Sequence, residues 1–324
     1  MLTTVVGNYP KIPNRPRPAR LRNAINRFDR GEIGAEELRA VEDEVTREVI
    51  DEQVDAGLDL ITDGQVRWED EQTYFARRLS GVSIDGLIRF FDSNTYYREP
   101  VVQGPVTWTE PATVADYRFA VEHSPRPVKA VLPGPYTLAR LSRDEHYASL
   151  EGCAMAYAEA LNHEARALQA AGAPVVQLNE PAILKHKADL PLFQRAIVRA
   201  LEGVSAQRAL YLYFGDVYGL YPQLLDLPID VLGLDFVAGA RNFEVLKLAP
   251  FSKTLGLGLV DARNTRMESV EQIVEGLRRA REIAPLERVH LSPNCGLEFL
   301  PREAAQAKLA RMVESASKAQ EVLA

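Results

Sequence analysis

The chain has 324 residues, 46% hydrophobic and 26% charged, and 38 Lys and Arg against 45 Asp and Glu leave a net charge of −7. No apolar run approaches the ~20 residues of a membrane helix, and no long basic stripe offers a phosphate-binding footprint. A membrane-spanning helix and a nucleic-acid partner are therefore not expected. Two cysteines cannot frame a disulfide-stapled fold, and the start, MLTTVVGNYP, lacks the basic and apolar regions of a secretory signal, so a reducing cytoplasm is the expected location.

Eight short apolar segments read as strands: LTTVVG (2–7), LDLIT (58–62), VKAVL (128–132), PVVQL (174–178), ALYLYF (209–214), DVLGLD (230–235), TLGLGLV (254–260) and RVHLS (288–292). After the first comes a Pro-rich basic stretch with Lys11, Arg15, Arg17, Arg20, Arg22 and Arg27, read as a solvated surface excursion or as a site for an anionic substrate tail. Residues 35–56 carry Val41, Val45, Val49, Ile50 and Val54 at helical spacing before Gly57, and 148–171 is a second helix, closed by Gly172 and Pro174. TYFARRL (73–79) reads as a structural helix start beside the second strand, and 81–111, alternating and β-branched, reads as an inserted hairpin. With no repeat and no linker, 1–324 reads as one domain. Strands alternating with helices in this number predict an α/β fold, a (β/α)8 TIM barrel with a β-hairpin insertion after strand 2.

In such a barrel the residues just past the strands' C-terminal ends form the site. That rule selects Asn8 and Tyr9; Asp63, Gln65 and Arg67; Tyr136; Asn179 and Glu180; Tyr211, Tyr213 and Asp216; Asp235; Asp261 and Arg263; and Asn294 and Cys295. Polar groups gathered at one end need partners, so a small-molecule ligand site is expected there. Cys153, among Ala, Met and Tyr, reads as a buried structural thiol. The five histidines form no HxH or HExxH pattern, and the GxG of LGLGLVD lacks the rest of a dinucleotide loop.

Several of these stretches, VVGNYP, LDLITDGQVRWED, LPGPYTL, VVQLNEPA, LYLYFGDV, DVLGLDF, LGLGLVDARN and SPNCGL, together resemble the successive strand-end motifs of the catalytic domain of cobalamin-independent methionine synthase, in its short single-barrel form. The resemblance implies methyl transfer to the sulfur of homocysteine, with zinc holding the thiol as a thiolate. It implies a methyltetrahydrofolate donor or, for short members, a methylcobalamin protein, which would make a corrinoid protein a partner. Its zinc ligands are a His and a Cys two apart on strand 5, an acid ending strand 6 and a Cys after strand 8. Cys295 and Asp235 match the last two. Tyr211 and Tyr213 stand at the His and Cys positions, and Gln65 and Asn179 stand where the family holds the amino group with carboxylates. Glu180 and Asp261 match the family, Arg263 stands where its catalytic His is often found, and Leu141 replaces the usual stacking Trp.

Phenols with pKa near 10 bind zinc weakly beside imidazole and thiolate, so the sequence predicts a diverged zinc site with Asp235 and Cys295 as remnant ligands. Phenolate, carboxylate and thiolate together would better suit ferric iron. The expected enzyme is a methyltransferase with Asp235, Cys295, Tyr211, Tyr213 and Asp261 at the catalytic pole. Asn8, Gln65, Asn179, Glu180 and Arg263 surround the acceptor, and amides in place of carboxylates favour an acceptor without an α-amino group. The alternatives are a metal-independent lyase or decarboxylase clamping an anion with Arg67, Arg263 or the basic stretch, and a non-catalytic binding protein.

Overall fold

Strands buried on both faces by their own helices must be parallel, and the observed sheet curls on itself to cover them. The computed structural model describes residues 1–13 and 17–323. Its strands in chain order are β1 (Leu2–Thr3), β2 (Ser80–Arg89), β3 (Tyr96–Thr107), β4 (Ala130–Pro133), β5 (Arg143–Asp144), β6 (Val175–Asn179), β7 (Gln207–Leu212), β8 (Val231–Asp235), β9 (Thr254–Val260) and β10 (Val289–Pro293). Seven form one sheet in the order β1-β10-β9-β8-β7-β6-β4, and every pair in it is parallel.

The expected second strand, 58–62, closes the ring through single parallel bridges, Thr4 to Leu60 and Ile61 to Val128. Side chains stand in for the missing ladder bonds. The Asp59 carboxylate accepts from the Thr3 amide at 2.8 Å, and the Thr4 hydroxyl donates to the Leu60 carbonyl at 2.8 Å. Gln53, on the preceding helix, takes both backbone groups of Thr62, at 2.9 and 3.2 Å. This is why a strand-like sequence forms so little regular strand.

The two long helices form where the pattern places them, at Ala35–Asp55 and Leu150–Ala170, the second with the Ser149 hydroxyl capping the Gly152 amide at 3.1 Å. The insertion is an antiparallel hairpin of β2 and β3, extended by β5 parallel to β3. Ahead of it, Asp70 caps a short helix, Glu71–Ala76, by accepting from the Thr73 amide at 2.7 Å. The basic stretch differs from its expected form: Arg20, Arg22 and Arg27 lie in a helix, Arg20–Asp29. Arg20 pairs with Glu44 and Glu48, and Arg27 with Glu37 at 3.1 Å, so much of this charge meets the acidic face of the next helix. Arg15 lies outside the described residues. No helix among the described residues is long and apolar enough to cross a membrane.

One row across the barrel positions the site. Asn179, Tyr211, Gly233 and Gly256 are successive register partners on β6, β7, β8 and β9. The Tyr211 ring lies across both glycines: a Cβ on Gly233 would fall 2.4 Å from the ring, and one on Gly256 would fall 3.0 Å from the hydroxyl. The glycines of DVLGLD and TLGLGLV are thus the space that a phenol needs inside the barrel. Gly233→Ala is expected to destabilise the protein by about 1–3 kcal/mol, as overpacking does. Tyr211→Leu in the same chain should restore part of the lost melting temperature; a Gly233→Ala protein as stable as the parent would show that the ring can move aside.

Candidate active site

At the C-terminal ends of the strands a cavity of about 460 Å3 opens, walled by Asn8, Lys11, Glu71, Phe90, Tyr213 and Glu298 among others. Asn8 leaves β1 with its carbonyl accepting from the Leu297 amide at 2.9 Å, which brings the loop after Cys295 against the first strand. Tyr213 stands one residue past β7, and the hairpin contributes Phe90 and Tyr97. Phe214, with φ +75°, and Phe91, with φ +49°, meet edge to face at 5.8 Å across the mouth. Such left-handed backbone in bulky residues is held only where the surroundings over-determine it.

Glu71 is the first residue of the capped helix, so the cap aims it at the barrel. It is 5% exposed, and its Oε1 accepts from Asn179 Nδ2 at 2.8 Å. Burial, Glu298 and Asp70 push its pKa up to about 8, while the amides of Asn179 and Gln65 act in the other direction. Gln65, 1% exposed with φ +51°, sits beside it, and neither of its amide atoms completes a hydrogen bond of normal geometry among the described residues. Glu298 Oε2 is likewise buried without a partner among the described residues, and burial raises that carboxyl to about 7. The site around the two amides is therefore not without a carboxyl: Glu71, from another element, bonds to Asn179 and stands beside Gln65.

A carboxyl raised above its unfolded value stabilises the fold while protonated, and that stability is lost as pH rises toward the folded pKa. Glu71→Gln should thus gain stability relative to the parent, on the order of 1 kcal/mol per pH unit, between about pH 5 and pH 8. Melting temperatures across that range test the sign; a constant difference would mean that Glu71 is not buried as a free carboxyl.

The remaining expected site residues divide. Tyr213 and Cys295 are both buried and electrostatically coupled; burial pushes the Tyr213 phenol well up, and burial with Glu298 and Asp235 does the same to the Cys295 thiol. The nearest hydrogen-bond partners of Cys295 Sγ are the Asn294 Oδ1 at 3.7 Å and the Gly296 carbonyl at 3.5 Å. Asp235 is engaged on both oxygens: Oδ2 accepts from the Phe214 amide at 3.0 Å, and Oδ1 from the Val237 and Ala238 amides at 2.9 and 2.8 Å and from Asn294 Nδ2 at 3.2 Å. Tyr211 lies inside the barrel, its phenol raised by burial next to Ser292. Among the described residues no three His, Cys, Asp or Glu side chains gather as a metal-holding group.

Glu180 turns inward to cap the helix Pro135–Arg140, accepting from the Tyr136 and Thr137 amides at 2.8 Å each and the Thr137 hydroxyl at 2.6 Å. Asp261 borders a separate shallow cavity with Asn264 and Glu268, and its carboxylate accepts from the Arg263 amide at 2.9 Å. Arg263 sits at the rim, over Phe214 at 5.1 Å and donating to the Asp92 carbonyl at 3.0 Å. Arg67 pairs with Asp43 and Asp116 and lies over Phe119 at 4.5 Å. Of the two arginines expected as anion clamps, Arg67 is thus held by carboxylates, while Arg263 stays at the rim beside a backbone carbonyl and two aromatic rings.

Glu71 and Glu298 were not on the sequence's list. The signal for Glu71 was Asp70 three residues before Thr73, an N-cap that starts a helix at 71 and turns its first residue toward the second strand's end. Glu298 had a weaker one, its place three residues after Cys295 in a loop that must return across the barrel mouth.

Comparison with known proteins agrees with this geometry. Residues 1–318 match the family described as cobalamin-independent synthase, catalytic domain. A protein of Saccharolobus solfataricus named methionine synthase is 32% identical, over 99% of this chain and 95% of its own length. Another of that name from Sulfurisphaera tokodaii is 33% identical, over 96% and 90%. A B12-independent methionine synthase from Shewanella sp. W3-18-1, solved in complex with selenomethionine, shares the fold with a TM-score of 0.88 at 24% identity, covering 100% of this chain and 99% of that one. The chain belongs to the cobalamin-independent methionine synthase family, as a catalytic-domain barrel.

Proposed function

We propose that the protein is a methyltransferase that moves a methyl group to the sulfur of a thiol amino acid, homocysteine by family, in the cavity at the strands' C-terminal ends. The observation that carries this reading is Glu71, a buried carboxyl on the cavity wall beside two amides and without a cationic partner among the described residues. A buried carboxyl of this kind suits an ammonium. The family match over residues 1–318 supports the reaction class.

The residues at the four positions that resemble the family's zinc ligands do not fit zinc. Asp235 has both oxygens committed to amides, and Tyr211 and Tyr213 are phenols that burial keeps protonated. In this reading the thiol is activated by protein side chains alone. Glu71 receives the acceptor's ammonium, and Glu298, whose Oε2 has no partner among the described residues and whose pKa burial raises to about 7, toward that of a thiol, takes the thiol proton. The S–H pair stays on sulfur and forms the bond to the methyl carbon, while the pair of the donor's N5–methyl bond leaves with N5, which takes up a proton in exchange for the one lost by the thiol. Methyltetrahydrofolate is the proposed donor; a family described as cobalamin-independent lends no support to a corrinoid partner.

The test is methionine formation from homocysteine and 5-methyltetrahydrofolate, followed by mass spectrometry with and without chelator. Methionine under both conditions is expected. No methionine in either would overturn the reading, and activity lost on chelation and restored by zinc would overturn its metal-free part.

A further inference from the structure

Lys129 is 3% exposed inside the barrel, one residue before β4, and forms no ion pair among the described residues. Its Nζ donates to the Val5 carbonyl at 2.5 Å and to Gln177 Oε1 at 2.7 Å, and lies 5.0 Å from the centre of the Tyr211 ring. Gln177 Nε2 donates to the Val6 carbonyl at 2.5 Å and to Asn179 Oδ1 at 2.8 Å. Asn179 Nδ2 donates in turn to Glu71 Oε1 at 2.8 Å.

An ammonium can only donate, so Lys129 fixes Gln177 with its oxygen inward. The Gln177 nitrogen then requires the Asn179 oxygen, which leaves the Asn179 nitrogen for Glu71. Each amide is held in one of its two flips, and the chain of dipoles runs one way, from a cation in the barrel to a carboxyl in the cavity. We propose that Lys129 is a positioning residue for the acceptor site: through Gln177 and Asn179 it orients the Glu71 carboxyl toward the ammonium of an amino-acid acceptor. This rests on the role given to Glu71 under the proposed function. It also explains why position 179 is an amide, since an aspartate there would set two carboxylates lone pair to lone pair. The ionisable groups facing Glu71 are Glu298, Asp70 and Tyr213, and the one acting with Lys129 is His290. Burial draws Lys129 down to about 7.

The test is calorimetric binding of L-methionine and of 4-(methylthio)butanoate, which lacks the amine, to the full chain and to Lys129→Met, Gln177→Leu and Glu71→Gln. Lys129→Met and Gln177→Leu are each expected to weaken methionine by about tenfold and the desamino ligand by less than about twofold. Adding Lys129→Met to Glu71→Gln should cost nothing further, because both act through one carboxyl. Equal weakening of both ligands, or no weakening of methionine, by Lys129→Met and Gln177→Leu, while Glu71→Gln weakens methionine selectively, would overturn the inference alone. A Glu71→Gln substitution that leaves the affinity for methionine unchanged, or weakens both ligands by the same factor, would overturn the acceptor reading itself. Should Lys129→Met fail to fold, the same criteria apply to Gln177→Leu, which breaks the chain one link on and keeps the cation.

Discussion

Glu71→Gln is expected to lower kcat/KM for homocysteine by about 100-fold, mostly through KM. The substitution keeps shape and one acceptor oxygen and removes only the charge. A charge-assisted hydrogen bond to a desolvated ammonium is worth roughly 2–5 kcal/mol, and about 2.7 kcal/mol corresponds to that factor. The amine is remote from the reacting sulfur, so the loss falls on ground state and transition state alike. An acceptor without an amino group should react equally well with both proteins. Steady-state kinetics with the two acceptors decide the matter: an unchanged kcat/KM for homocysteine would remove Glu71 from the site.

Asp235→Ala is expected to destabilise the unliganded protein by about 3 kcal/mol or more, a fall in melting temperature of roughly 10 °C. The carboxylate gathers the Phe214, Val237 and Ala238 amides with Asn294, and removing it leaves several buried donors without partners. These bonds join the ends of β7 and β8 to the Asn294–Cys295 loop, so the cavity wall should loosen with it. Thermal unfolding gives the answer directly. An Asp235→Ala protein of parental stability would mean that these amides find other partners and that the residue is free for a ligand.

Much of the barrel was legible because its pattern is local: apolar runs ended by Gly or Pro, and helices closed by caps. Residues 254–260 form β9 as expected. The segment 58–62 was harder, since its backbone is taken up by Gln53 of the preceding helix and its Asp59 reaches across to Thr3, contacts that an apolar pattern does not display. The strand-end rule found Asn8, Gln65, Asn179 and Tyr213, which lie at or beside the cavity. It also raised Glu180 and Asp235, whose polarity serves backbone amides that no sequence displays. Glu71 was hidden among the acids of EDEQ, and Lys129 inside VKAVL, where a single polar residue in an apolar strand carries no sign of its partner. The departures at Gln65 and Asn179 were visible, but their compensation by Glu71 is a contact between separate elements.

The most direct test of the Glu71 site is the proton balance of methionine binding, measured by titration calorimetry at pH 7 in buffers of different ionisation enthalpy. With its pKa raised to about 8, the empty site's Glu71 is mostly protonated at pH 7, and an arriving ammonium must expel that proton. Release approaching one proton per methionine is predicted, with affinity rising toward pH 8 and both effects absent in Glu71→Gln. Methionine binding without proton release, or with release unchanged in Glu71→Gln, would contradict the account.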